Sequence, residues 1–261
     1  MLRPAIHLRK KLDSGEAVIG IMATDLASTV LIEIAKQAGI DYIVLDCEHG
    51  PFSDETVAEF CRVGRLADMA VLVRTISSEP SVVRRTIDLG PCGILLPNIE
   101  STEQLDSVAD TIQMPPEGSR RPGGPGNYWM ESFHREAWRE NLEQHFIVIP
   151  QIESLTGVAK ASELAAHPIV TALGVGPYDL SADIGCCWHP ENEDFEEALR
   201  QIRAAADAVD KKVWIGADVE KYAKEGYTFL WCGTFAAVLA GALSRIVAGS
   251  NIEADGSPRP A

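Results

Sequence analysis

Glu153 closes a stretch, H-F-I-V-I-P-Q-I-E-S at 145–154, that is built to bring polar groups to the end of a buried strand. The apolar run 146–149 reads as the strand itself, and Gln151 and Glu153 follow two residues apart, on one face. Pro150 marks the expected end of sheet pairing, because proline brings no N–H. A carboxylate in that position is costly unless something meets its charge. Three more clusters sit at comparable places: Asp46-Cys47-Glu48-His49, Arg74, and Gly176-Pro177-Tyr178-Asp179, each just after an apolar strand-like run. Taken singly, each has an ordinary reading. Glu153 would be a solvated loop residue, His49 a hydrogen-bonded loop residue, Arg74 a surface ion pair, and Asp179 the N-cap of a short helix at 180–185.

Taken together they describe a chemistry. Two carboxylates, Glu153 and Asp179, with no ligating His or Cys beside them suggest a hard divalent ion, Mg²⁺ or Mn²⁺, with Co²⁺ a further candidate. Such an ion leaves positions for water or substrate. A 2-oxo acid such as pyruvate would bind it through keto and carboxylate oxygens, and the ion would stabilise the enolate. Arg74 would hold the same developing oxyanion. The alternative route to an enolate equivalent, a Schiff-base lysine, lacks a residue: none of the eight lysines (10, 11, 36, 160, 211, 212, 221, 224) ends a strand. Asp88 sits in the last turn of a helix, the unfavourable end for a negative charge, which implies a partner. Arg84 and Arg85 are the mundane candidates, and His49, whose tautomer a carboxylate would fix, is the functional one.

Positioning these residues requires a regular scaffold. After a short helix at 3–14, strand-like runs at 18–23, 42–47, 70–76, 93–97, 146–153, 169–174, 212–217 and 228–232 alternate with helical segments. Eight strand–helix units in one chain predict a single (β/α)₈ TIM barrel over 1–250, with a polar, frayed tail at 251–261. A doubly wound sheet is disfavoured, since no G-x-G-x-x-G follows the first strand. The clusters above then fall on the C-terminal rim, where barrels place their chemistry.

Bulk properties narrow the partners. The 261 residues are 46% hydrophobic and 23% charged, enough apolar material for a sizeable core. A net charge of -15 argues against nucleic acid and against an anionic membrane face. No run approaches a signal peptide or a membrane span. Cysteines at 47, 61, 92, 186, 187 and 232 are scattered, as suits reduced thiols in a cytoplasm. The C-C-W-H run at 186–189 lacks the spacing of structural zinc.

D-C-E-H-G at 46–50, V-R at 73–74, Asp88 before L-G, L-L-P at 95–97, Q-I-E-S at 151–154 and G-P-Y-D-L-S at 176–181 occur in this order. As a set they resemble the HpcH/HpaI metal-dependent pyruvate aldolases of the citrate-lyase-β-like superfamily, over roughly residues 15–248. The resemblance implies a class II aldolase that reversibly cleaves a 4-hydroxy-2-oxo acid to pyruvate, or a related 2-oxo acid, and an aldehyde through a metal-stabilised enolate. It implies Glu153 and Asp179 as metal ligands, and Gln151, Gly176 and the backbone around Tyr178 and Asp179 as the oxo-acid site. Arg74 would stabilise the enolate, and His49 with Asp88 would form the proton-transfer dyad. A hexamer, a trimer of dimers with the last helix (235–248) swapped onto a neighbour, is also implied. The same scaffold serves as oxaloacetate decarboxylase, macrophomate-synthase-like enzyme or CoA-ester lyase, and a non-catalytic oxo-acid binding module is a further alternative. Three departures bear on substrate identity: Tyr178 stands where a small residue is usual, Thr75 where proline is frequent, and the loop 118–127 matches the family's G-x-R-G pattern only at Arg120. That loop is expected either as a flexible surface segment or as an acceptor-binding lid.

Overall fold

The computed structural model describes residues 2–187, 189, 191–216 and 218–249; the expected tail at 251–261 lies outside the described residues. Eight strands form it: β1 (Val18–Ala23), β2 (Tyr42–Asp46), β3 (Ala70–Arg74), β4 (Gly93–Leu96), β5 (Ile147–Ile152), β6 (Ala172–Val175), β7 (Lys212–Gly216) and β8 (Phe229–Thr234). They pair in parallel, in sequence order, and β8 closes on β1, which is the expected barrel. Between them run α1 (Arg3–Ser14), α2 (Val30–Gln37), α3 (Asp54–Leu66), α4 (Pro80–Asp88), α5 (Thr102–Ile112), α6 (Arg135–Trp138), α7 (Leu155–Ala166), α8 (Pro177–Ile184), α9 (Glu193–Asp207), α10 (Val219–Lys224) and α11 (Phe235–Gly249).

Local chemistry sets the turns. Ser53 accepts the Thr56 amide at 3.3 Å to start α3. Ser101 and Gln104 form a capping box on α5. Ser154 accepts the Gly157 amide at 3.1 Å as the N-cap of α7, so the helix begins two residues after Glu153 and fixes where that carboxylate stands.

One expectation fails at β5. Pairing does not stop at Pro150: the strand continues to Ile152, with Pro150 beside Leu96 of β4. The Val148 carbonyl accepts from Thr171 on the β6 side, so Pro150, two residues on, also turns its missing donor toward β6. The β5–β6 ladder begins only at Gln151, one residue beyond the proline.

An aromatic plug fills the barrel axis. Tyr42 donates its hydroxyl to the Leu230 carbonyl at 2.6 Å and accepts from the Trp214 indole at 2.8 Å, while Trp214 stacks on Trp231 at 5.5 Å. Gly20 is what lets Tyr42 in, since a Cβ there would lie 2.2 Å from its ring. The last helix departs from the others. None of the fifteen residues of α11 is buried, and Val238, Leu239, Leu243 and Ile246 are exposed. Among the described residues no helix is long and apolar enough to cross a membrane.

With its hydroxyl bonded on both sides, the Tyr42 ring has nowhere to move. Gly20→Ala is expected to destabilise the barrel by about 1–3 kcal/mol through overpacking, read as a lower urea midpoint with an unchanged slope.

Candidate active site

The rim is organised by neighbours in register. Asp46 ends β2 and Arg74 ends β3, directly beside each other. Both are buried, and they meet as a fork: Arg74 Nε donates to Asp46 Oδ1 at 2.8 Å and Nη2 to Oδ2 at 2.7 Å. Asp46 also accepts from the Thr24 hydroxyl at 3.0 Å and from the amides of Glu48 and His49 at 3.1 and 3.4 Å. Burial would raise the Asp46 carboxyl, but Arg74, Thr24 and the His49 amide outweigh it and hold the group below the usual carboxylate range. Arg74 turns its third nitrogen, Nη1, to Glu48 at 3.2 Å. Despite burial, its acidic neighbours hold it a firm cation.

Glu153 faces this pair. It accepts the Asn98 amide at 2.8 Å on one oxygen and the Gln151 side-chain amide at 3.0 Å on the other. Asn98 supplies its amide from a left-handed turn after β4, at φ 49°, a conformation asparagine tolerates better than most residues. Gly176 makes the room, because a Cβ there would stand 2.3 Å from a Glu153 oxygen. Burial first, then the charges of Asp179 and Glu48, push the Glu153 carboxyl up to about 7 against the opposing pull of the Asn98 amide and Arg74. Asp179 is exposed and lies inside the first turn of α8; Gly176, not Asp179, occupies the N-cap. Its charge raises both Glu153 and Glu48, which puts the three carboxylates in one electrostatic neighbourhood.

The structure therefore brings together Arg74, Gln151, Glu153, Gly176, Tyr178 and Asp179 on the C-terminal rim, with the His49 side chain exposed at its edge, 3.9 Å from Glu48. It does not bring Asp88 there. The proposed His49–Asp88 dyad is not formed within the chain. Asp88 ends α4, which runs back to the opposite face of the barrel, and its carboxylate takes a charge-assisted hydrogen bond from Arg120 at 2.5 Å. Arg120 is buried, bonds the Arg84 carbonyl at 3.2 Å and stacks over Trp138. The partner that the unfavourable helix end demanded is thus Arg120, rather than Arg84, Arg85 or His49. The loop around it is held on that far face, with Asn127 donating to the Ile87 carbonyl at 3.2 Å. It is neither a free surface segment nor a lid over its own rim.

Asp46, Glu48, Thr24 and Asn98 were not singled out as site residues in the sequence, although Asp46 and Glu48 stand in the D-C-E-H motif. The signal for Asp46 was its alternation with Val44 and Tyr42, which faces it toward the axis beside Arg74.

The residues fit a divalent cation. The Asp46 and Arg74 charges cancel, leaving Glu48, Glu153 and Asp179 as an excess of acid, with the His49 ring 3.9 Å from Glu48. Gln151 Oε1 is buried with no hydrogen-bond partner among the described residues. No group of three or more His, Cys, Asp or Glu converges as a ready ligand cage among the described residues. The protein would therefore supply two carboxylates and leave the other positions to water and substrate, as Mg²⁺ and Mn²⁺ prefer.

A closed parallel barrel with a buried arginine–aspartate fork and an acidic mouth is a barrel-enzyme site. The chain belongs to the HpcH/HpaI aldolase/citrate lyase family, whose sequence model matches residues 22–240. It is 28% identical over 205 residues to the hydroxypyruvate/pyruvate aldolase of Chromohalobacter salexigens, covering 77% of this chain and 81% of the relative. It is 30% identical over 213 residues to the 5-keto-4-deoxy-D-glucarate aldolase of Salmonella paratyphi C, covering 80% and 83%. The crystal structure of the HpcH/HpaI aldolase from Desulfitobacterium hafniense matches with a TM-score of 0.86 at 27% identity, covering 96% of this chain and 99% of that one.

Because its folded value of about 7 exceeds the ordinary 4.5, Glu153 stabilises the metal-free fold fully below pH 4.5 and loses that contribution as pH rises through 7. The loss is about 3 kcal/mol. In chelator, Glu153→Gln is expected to melt higher than the unsubstituted protein at pH 8 and to converge with it near pH 4.5. Parallel melting curves across that range would remove the assignment.

Proposed function

We propose that this protein is a divalent-metal-dependent carbon–carbon lyase of the pyruvate aldolase type, cleaving a 4-hydroxy-2-oxo acid to pyruvate, or a related 2-oxo acid, and an aldehyde, and running in reverse. The observation that carries the reading is the acid excess around one immobilised guanidinium at the rim. Family membership and the aldolase relatives support it.

Glu153 and Asp179 would hold the ion, Mg²⁺ or Mn²⁺ with Co²⁺ as a further candidate, and its chemistry there is to polarise the keto carbonyl of the bound acid. The chain's own residues do the rest. The Asp46 fork prevents Arg74 from swinging away, so its charge is preorganised for the negative charge that develops on the keto oxygen. Gln151 spends its amide on Glu153 and keeps its carbonyl oxygen for a donor on the ligand. The first turn of α8 directs backbone amides at the acid's carboxylate, and Gly176 keeps that turn clear of side chain. His49, exposed beside Glu48, moves the proton between water and the reacting carbon.

The active assembly is a homo-oligomer, a hexamer built as a trimer of dimers. β8 pairs with β1, so a helix covering the seam would lie against α2, where Val30 and Ile34 are exposed, as is Leu26 just before it. The apolar α11 leaves that place to the α11 of a second copy. Asp88 and the 118–130 loop, on the opposite barrel face, act on a rim only where a neighbouring copy presents them. Six unpaired cysteines suit a reducing compartment, and we assign the protein to the cytoplasm.

Aldol cleavage should vanish in chelator, return with Mg²⁺ or Mn²⁺, and ignore borohydride added with substrate. Arg74→Ala should lower kcat by about 10²–10³. Inactivation by borohydride with indifference to chelator would replace the ion with an imine. A sedimentation measurement should give a mass several times that of one chain, and Leu243→Asp should lower it; a monomeric unsubstituted protein would remove the oligomer.

A further inference from the structure

On the barrel face away from the rim, a cleft of about 600 Å³ lies between the start of α1, the end of α3 and the segment that follows the 118–127 loop. Arg3 supplies one wall, Arg62, Arg65 and Leu66 a second, and Tyr128 and Trp129 a third. Among the described residues no carboxylate lines it, in a chain where Asp and Glu outnumber Lys and Arg 38 to 23. The three arginines are not equivalent. Arg62 is matched by Glu59 through hydrogen bonds of 2.8 and 2.6 Å, and Arg3 is exposed, 3.6 Å from Asp68. Arg65 is half-buried and has no carboxylate partner among the described residues. Its Nη1 donates to the Gly90 carbonyl at 2.6 Å, and its guanidinium lies 5.6 Å from the centre of the Trp129 ring. Both partners are neutral, so neither cancels the charge.

Burial weakens the hold of Arg65 on its proton; the buried thiols of Cys61 and Cys92 oppose this, and Arg62 adds to it. A cation at the end of α3 suits the helix dipole, which accounts for an arginine at this position but not for leaving it partly desolvated and unmatched. Its Nε and Nη2 bond nothing among the described residues, and neither is sealed from solvent. That edge of a guanidinium takes a carboxylate side-on, in two parallel hydrogen bonds. The first turn of α1 adds no repulsion, since it carries no acidic residue and no side-chain cap. Beyond the guanidinium the walls are apolar: Leu66 is 71% and Tyr128 79% exposed, and the Trp129 ring stands next to them. A flat, ring-sized body would cover these surfaces, and the volume lies within the range of about 300–1,000 Å³ usual for small-molecule sites.

We propose that this cleft binds an aromatic carboxylate, whose anion is held by the Nε–Nη2 edge of Arg65 and whose ring is covered by Leu66, Tyr128 and Trp129. The site is separate from the rim and goes beyond the aldolase reading, on which it does not depend. A ligand there needs no metal and does not compete with a 2-oxo acid.

The test is calorimetric titration of the full chain with 2-naphthoate, in chelator and again with Mg²⁺ and saturating pyruvate. The Kd should be the same in both conditions. Naphthalene-2-carboxamide, which keeps the ring and loses the charge, and acetate, which keeps the charge and loses the ring, should each bind at least tenfold more weakly. Arg65→Gln should weaken 2-naphthoate at least tenfold. Leu66→Glu, at an exposed position, sets a carboxylate at the lip and should do the same with an unchanged melting temperature, so the test survives if the Arg65 variant fails to fold. Equal binding of acid and amide, undiminished binding in Leu66→Glu, tighter binding of 2-naphthyl phosphate, or displacement by pyruvate would each overturn the site. A fall in sedimenting mass for ligand-free Leu66→Glu would give the cleft to a second copy of the chain and overturn it equally.

Discussion

The buried fork between Asp46 and Arg74 is the constraint on which the rim depends. Removing one partner of such a pair strands a charge in the interior, at about 3–5 kcal/mol, so each holds the other in place. The pair is electrically closed: Asp46 stays ionised and Arg74 stays protonated. Its contribution to chemistry is therefore direction, a guanidinium aimed at the mouth and unable to relax toward Glu153. For the same reason it cannot neutralise Glu48, Glu153 and Asp179 together. That remainder is the ground for proposing a small cation there, which would also offset the repulsion that an overall charge of -15 presents to an anionic ligand.

A parallel barrel separates its two faces by topology, and that separation explains what does and does not meet in one chain. Everything after a strand lies on one face and everything before a strand on the other. Glu48, Arg74, Glu153 and Asp179 are of the first kind. Asp88 and the loop carrying Arg120 and Asn127 are of the second, and they are clamped there by buried hydrogen bonds. The motifs name residues of both kinds in chain order, but sequence order carries no face. The exposed apolar residues at and just before α2 and the unburied α11 are the features on which the proposed oligomer rests.

What was legible in the sequence was the scaffold and the strand ends. Short apolar runs separated by helical segments leave little choice of architecture, and a polar residue directly after such a run must stand on the rim. Glu153, Asp179, Gln151 and Arg74 were readable on that ground. Less legible was anything set by backbone rather than side chain. The amide that holds Glu153 belongs to Asn98, in a left-handed turn with no side-chain signature of its role. Pro150 misled because the rule about missing donors is silent on which side the donor would face, and here that side is the late-starting β5–β6 ladder. The fork itself needed register, Asp46 against Arg74, which comes from barrel closure and not from either motif alone.

Glu153 shows how the same features serve opposing demands. Two neutral donors, the Asn98 amide and the Gln151 side chain, fix its orientation before any ligand arrives. Burial and two neighbouring acids nonetheless raise its affinity for a proton to the neutral range. The proposed cation would compete there with that proton, so orientation would be gained while the grip was moderated near neutral pH. A carboxylate fully matched by arginine would hold no proton and would have little charge left for an ion. One left unsupported would not hold its geometry. The arrangement of amide donors on Glu153 and arginine on Asp46 divides the two tasks between two carboxylates on the same rim, one at the end of β2 and the other just after β5.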